Sequence, residues 1–132
     1  MFEVVYYAKE NGESEIKKWL DTLKRKSITS KHERIKLKKY HEYVNMLKLM
    51  GTRAGEPFVK FLRDGIWELR PTNDRIIFAY YKENTFVLLH HFEKTTKKTP
   101  FREMEQAEKN LKELLGGINN VCNYKWQRIE NP

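Results

Sequence analysis

Arg70 closes one apolar run, Arg75 opens the next, and Lys94, Lys97 and Lys98 follow where a later run passes into a helix start. Guanidinium and ammonium groups gathered at one end of a sheet suit phosphate. The arginine fork meets its oxygens two at a time, and lysine adds a compact charge. No cluster of carboxylates lies among these cations in the sequence, so an external anion is expected to offset them. Alternation from Trp67 and Leu69 puts Arg70 with Glu68 on the opposite, more polar face of its strand. Taken alone, Arg70 is explained as well by pairing with Glu68 or another surface acid. A second arginine across a tight turn brings the anion-binding reading level with that one, because two like charges held together need a counter-charge. Folding should bring residues 70, 75 and 94 around one open hollow.

His90 and His91 are adjacent, so they face opposite sides of a strand. One is expected in the core and the other free for proton transfer or stacking on a base. Neither has a second histidine or a cysteine at ligand spacing, so no metal site and no cofactor is expected. Lys24, Arg25, Lys26, Lys31, Arg34, Lys36, Lys38 and Lys39 form a second basic zone. It reads mostly as a solvated face, and it could also track a nucleic-acid backbone. Phosphate-binding glycine loops, a G-x-S-x-G elbow and acid clusters at the strand ends are all missing from the sequence. That argues against nucleotide-binding folds, serine hydrolases and two-metal nucleases.

The elements that must position these groups are legible from periodicity. Phe2–Tyr7 reads as a first strand. Ile16, Trp19, Leu20 and Leu23 recur at helical spacing to about Lys26. Ser30 and Glu33 read as a capping box opening a second helix along Leu37, Tyr40, Val44 and Leu47, closed by Gly51. Four strands follow: Phe58–Arg63, Ile66–Arg70, Arg75–Tyr81 and Thr85–Phe92, with hairpin signals at Asp64-Gly65 and Glu83-Asn84. Thr99-Pro100 opens a last helix along Met104, Ala107, Leu111 and Leu114. The order predicts an α+β fold: a mainly antiparallel sheet of about five strands, a helix hairpin on one face and a C-terminal helix. The face away from the hairpin should be partly open, with the cations there. Residues 1–116 are expected to form one domain and 117–132 a loosely ordered tail.

With 26 Lys and Arg against 18 Asp and Glu among 132 residues, the formal net charge is +8. That favours a polyanion, an acidic partner or anionic lipid. No apolar run approaches membrane-spanning length, and the N-terminus lacks a signal-peptide layout. The lone Cys122 fits a reducing cytoplasm.

Four segments together resemble the RelE/ParE superfamily of toxins from type II toxin–antitoxin modules, in its phage-derived HigB-type branch. They are Gly65-Ile66-Trp67-Glu68-Leu69-Arg70, Arg75-Ile76-Ile77-Phe78, Leu89-His90-His91-Phe92 and Lys94-Thr95-Thr96-Lys97-Lys98-Thr99-Pro100. Thr95 stands where that branch usually has a second lysine. The likeness runs from about Phe2 to Leu115. It implies a compact microbial-RNase-like fold and metal-independent cleavage of mRNA, in many members on the ribosome. It also implies a bacterial cytoplasmic setting and neutralisation by a helix-turn-helix, HigA-like antitoxin. The two would form a heterotetramer, touching operator DNA only through the antitoxin. ParE-like relatives inhibit DNA gyrase instead, and an RNA-binding module without catalysis is the third reading. For mRNA cleavage Arg75 and Arg70 are assigned to clamp the phosphate, and Lys94 and Lys98 to position it and move protons, with His91 or His90 as the alternative base. Lys60, Lys97 and Arg102 are assigned to hold flanking phosphates of the RNA.

Overall fold

The computed structural model describes residues 1–116 and the backbone of a two-residue strand at 127–128. Chain order is β1 (Glu3–Tyr6), α1 (Glu15–Ser27), α2 (Lys31–Met50), a short 3-10 turn (Gly51–Ala54), β2 (Val59–Arg63), β3 (Ile66–Leu69), β4 (Asp74–Lys82), β5 (Thr85–Glu93), α3 (Phe101–Gly116) and β6 (Gln127–Arg128). The α+β architecture matches the pattern of the sequence. Strands β2 to β5 form an antiparallel meander, and β1 adds parallel to β5, giving the order β2-β3-β4-β5-β1-β6. The backbone of β6 pairs antiparallel with β1. The rest of the 117–132 tail lies outside the described residues, and with it the expectation of loose order.

Local chemistry explains the boundaries. Ser14 and Ser30 cap α1 and α2, each hydroxyl accepting a backbone N–H three residues on, at 3.3 Å. The expected capping box forms only in half. The N–H of Ser30 already donates to the Lys26 carbonyl at 3.0 Å, so the Glu33 carboxylate turns toward Lys36 at 3.9 Å. Gly51 ends α2 with φ 62°, and a Cβ there would lie 2.8 Å from the Phe2 ring. Both hairpin signals hold: Asp64-Gly65 and Glu83-Asn84 all adopt positive φ, as tight primed turns require.

Two cores result. The α1–α2 hairpin buries Ile16, Leu20, Tyr40, Val44 and Leu47 against Leu69, Ile76, Phe78 and Leu88. On the opposite face, α3 buries Ala107 and Leu114 against Ile66, Ile77 and Leu89. The second face is therefore more closed than the sequence alone implied, because the apolar stripe of α3 needed a sheet to cover. Only the sheet end ahead of the α3 N-terminus remains for the cations.

Strand β1 is short, so past Leu88 the β5 edge turned away from β4 has no strand beside it among the described residues. Side chains take over the ladder there. Asn110 donates to the Leu89 carbonyl at 2.8 Å, and Glu15 accepts the His91 N–H at 3.2 Å. His90 joins the sheet to both helix layers at this edge. Its Nδ1 lies 2.9 Å from Glu15 of α1, and its Nε2 lies 2.7 Å from Glu103 of α3. Burial disfavours the charged ring, yet the two carboxylates outweigh it and raise the pKa. A raised folded-state pKa means that the stabilisation is complete below the unfolded value of about 6.5 and is lost as pH climbs through the folded value. The melting temperature of the native chain should therefore fall between about pH 6 and pH 9. His90→Gln should flatten that slope; an identical slope in the variant would remove His90 as its source.

Candidate functional site

Arg70 lies one residue beyond β3, and continuing the Leu69–Ile76 register sets it opposite Arg75. The same face carries Lys60, which pairs with Glu68 across β2 and β3. The Arg70 N–H donates to the Phe58 carbonyl at 3.1 Å, fixing the chain just past the strand. Arg75 is held from the turn side: its Nη1 donates to the Thr72 carbonyl and, at 3.0 Å, to the Asp74 carbonyl. The Lys94 N–H donates to Asn73 at 2.8 Å, which draws the end of β5 against the same turn.

Glu68 lies at the centre of this group. Its side chain has no exposure, and its Oε1 is 3.6 Å from Arg70 Nε and 3.7 Å from Arg75 Nε. Thr99, in the connector before α3, donates to Oε2 at 2.5 Å. A buried carboxylate thus does what an external anion was expected to do. The expectation that these cations await an external anion is corrected, and so is the picture of the Glu68 face as the more polar one. It is the α3 core face, and Glu68 is tolerated there because two guanidiniums flank it. The neutralisation is incomplete. Oε1 and both Nε atoms are buried without a hydrogen-bond partner, so the three attract through space rather than through closed hydrogen bonds. One carboxylate faces two arginines and Lys94, which leaves an excess of positive charge.

That excess registers on the bases themselves. Burial lowers the pKa of Arg75; Glu68 opposes this and Arg70 adds to it. Lys94 is lowered as well, first by burial, against the pull of Glu68, and then by Arg75, Arg70 and Lys60. Arg70, Arg75, Lys94 and Lys60 therefore share one field. Glu56 sits at its rim: its Oε1 accepts from Arg70 Nη1 at 3.0 Å, and its side chain is 67 % exposed.

The remaining sequence-derived residues are not gathered there. His91 is on the opposite face, stacked on Trp19 with centroids 4.1 Å apart and bonded to Asp74 at 2.8 Å. Asp74 in turn holds Lys36 at 3.1 Å, and these partners keep its carboxyl below the usual range against the opposing effect of burial. His91 thus anchors the turn under Arg75 and does not stand free for proton transfer. His90 is engaged by two carboxylates, so neither histidine is available as expected. Lys97 and Lys98 are exposed on the connector. Arg102 points outward beside Glu103 at 3.6 Å. A hollow of about 430 Å³ opens elsewhere, lined by residues that include Tyr7, Lys18, His90 and Asn110 and by none of the sheet-end cations.

The sequence reading missed Glu56 and the central place of Glu68. Period two already set Glu68 beside Ile66 and Arg70, and the unmatched apolar stripe of α3 was the signal that this face is covered. Glu56 had no signal, since its approach to Arg70 depends on how the loop after α2 folds.

The family model described as Phage derived protein Gp49-like (DUF891) matches residues 18–112, which include all four strands and turns that build this site. The chain belongs to the Gp49-like family. This family is associated with toxin–antitoxin modules and is related to the RelE and HigB toxins. No curated protein matches the chain. In this Gp49-like protein, no helix among the described residues is long and apolar enough to cross a membrane.

Proposed function

We propose that this chain is the toxin of a type II toxin–antitoxin module, of the HigB type, and that it cleaves mRNA at the end of its sheet. The observation that carries this reading is the convergence of Arg70, Arg75 and Lys94 on a single buried carboxylate, with positive charge to spare. Membership of a toxin-associated family supports it. Cleavage by the neighbouring 2′-hydroxyl needs a proton acceptor for that hydroxyl, stabilisation of the pentavalent phosphorus and a proton for the departing 5′-oxygen. Arg75 and Arg70 stabilise the added charge as fixed cations. Lys94, with its lowered pKa, gives up its proton more readily than an ordinary lysine and serves the leaving oxygen. Glu56, exposed and beside Arg70, takes the hydroxyl proton. Lys60, Lys97, Lys98 and Arg102 meet flanking phosphates.

The proposed setting is the bacterial cytoplasm, with the ribosome presenting the mRNA. A HigA-like antitoxin neutralises the toxin in a heterotetramer and carries the contact with operator DNA. The test maps mRNA ends after induction, with and without a translation inhibitor. New ends that vanish with the inhibitor are expected, and Glu56→Gln should reduce them by about a hundredfold or more. Intact mRNA combined with blocked supercoiling by gyrase would overturn the nuclease reading in favour of a ParE-like one.

A further inference from the structure

A second basic surface is left over once the sheet-end site is assembled. Residues 24–39 contain eight Lys and Arg and one acid, Glu33, so this stretch holds a net +7 of the chain's +8. It folds as the last turn of α1, a tight connection and the first half of α2. Arg34 Nη1 donates to the Ser27 carbonyl at 2.9 Å, which fixes the connection while leaving the guanidinium charge unneutralised. Lys36 and Lys39 have acidic partners. Lys24, Arg25, Lys26, Lys31 and Lys38 are exposed, with no ion pair among the described residues.

The placement of this tip matters as much as its charge. Lys36 reaches Asp74, the residue before Arg75, so that point of α2 lies at the sheet end that carries the cationic site. The Lys48 carbonyl accepts the Phe2 N–H at 2.7 Å, next to the start of β1 and thus at the opposite sheet end. Helix α2 therefore runs away from the site, and Lys31 projects about 7 Å beyond the sheet end at 1.5 Å per residue. Lys31, Arg34 and Lys38 follow one stripe of α2, about 10 Å long. The half-buried His41 imidazole is held below its usual range, first by burial and then by Lys24 of the tip and by Lys48 further along α2.

We infer that the tip of the helix hairpin is a second RNA-binding surface, which takes phosphates of the same strand, or of the structured RNA around it, beyond the nucleotides held at Arg70 and Arg75. The choice of RNA rests on the nuclease reading above. The charge and its position beside the site do not depend on it. A membrane surface fits less well. The apolar faces of both helices are spent in the core, and only Ile28 and Ile35 are exposed at the tip, short of the apolar band an interfacial helix buries.

The test combines Lys24→Ala, Lys26→Ala, Lys31→Ala and Lys38→Ala in one chain. All four side chains are exposed and alanine favours helix, so the melting temperature should hold. Binding of a 20-nucleotide single-stranded RNA, followed by fluorescence anisotropy across a salt series, should weaken about a hundredfold near physiological salt. The slope of log affinity against log salt should lose about 3, at roughly 0.7 per lost phosphate contact on a single strand. A trinucleotide, sized for the arginine site alone, should bind as before. Unchanged affinity and slope for the long RNA would overturn the inference. So would a loss confined to phosphatidylserine vesicles or to polyglutamate, which would assign the tip to lipid or to an acidic protein. If the native chain binds no trinucleotide while the tip variant still loses the long RNA, the sheet-end reading fails and this one stands.

Discussion

Arg75→Ala is expected to lower RNA cleavage by about a hundred- to a thousandfold, the usual cost of removing one preorganised donor from the charge it stabilises. Arg75 is the best fixed of the three cations. Two backbone carbonyls of its own turn hold Nη1, and only 13 % of its side chain is exposed. A guanidinium already oriented spends nothing on reorganisation when the phosphorus gains charge. Arg75→Lys should recover little, since a single ammonium cannot hold the two carbonyls and face an anion at once. The measurement is single-turnover cleavage on programmed ribosomes, beside growth after induction. Binding of the RNA should change far less than the rate, because the tip and the exposed lysines carry most of the contact. An equal loss in binding and in rate would make Arg75 an ordinary phosphate anchor.

The fold was legible where local chemistry decides it. Ser30 announces the start of α2, and the Asp64-Gly65 and Glu83-Asn84 turns announce hairpins. The position of β1 was not legible. Its parallel pairing with β5 depends on the long passage through α1 and α2, and nothing in Phe2–Tyr7 names its neighbour. For the site, Arg70, Arg75 and Lys94 could be grouped because a tight turn and one strand end bring them together. His91 was misplaced. Adjacent histidines fix opposite faces, but which face holds the arginines follows only from register, and a bulge between Ile77 and Phe78 in the β4–β5 pairing shifts that register. Glu68 was seen and undervalued. A single acid between two arginines looks like a surface ion pair until α3 is laid over it, and Thr99 then seals it from water.

Glu68→Gln separates the two roles of this carboxylate. The amide keeps the shape and a bond to Thr99, so no cavity forms, but Arg70, Arg75 and Lys94 lose their internal counter-charge. Removing one partner from a buried charged group costs about 3–5 kcal/mol, chiefly because the remaining charges stay desolvated and uncompensated. In a domain of this size that corresponds to a fall of about 10 °C or more in melting temperature. Sulfate, compared with chloride at equal ionic strength, should restore more stability to the variant than to the native chain, because a bound anion can replace the missing charge. Lys94 supplies a second readout. Glu68 is the group that holds its pKa up against burial and the neighbouring cations, so the variant should lower it further. If Lys94 protonates the leaving oxygen, the alkaline limb of the cleavage profile then moves to lower pH, and the rate near neutrality falls even where the variant is fully folded. A variant as stable as the native chain, with the same alkaline limb, would mean that the arginines need no internal anion and that Lys94 does not supply the proton.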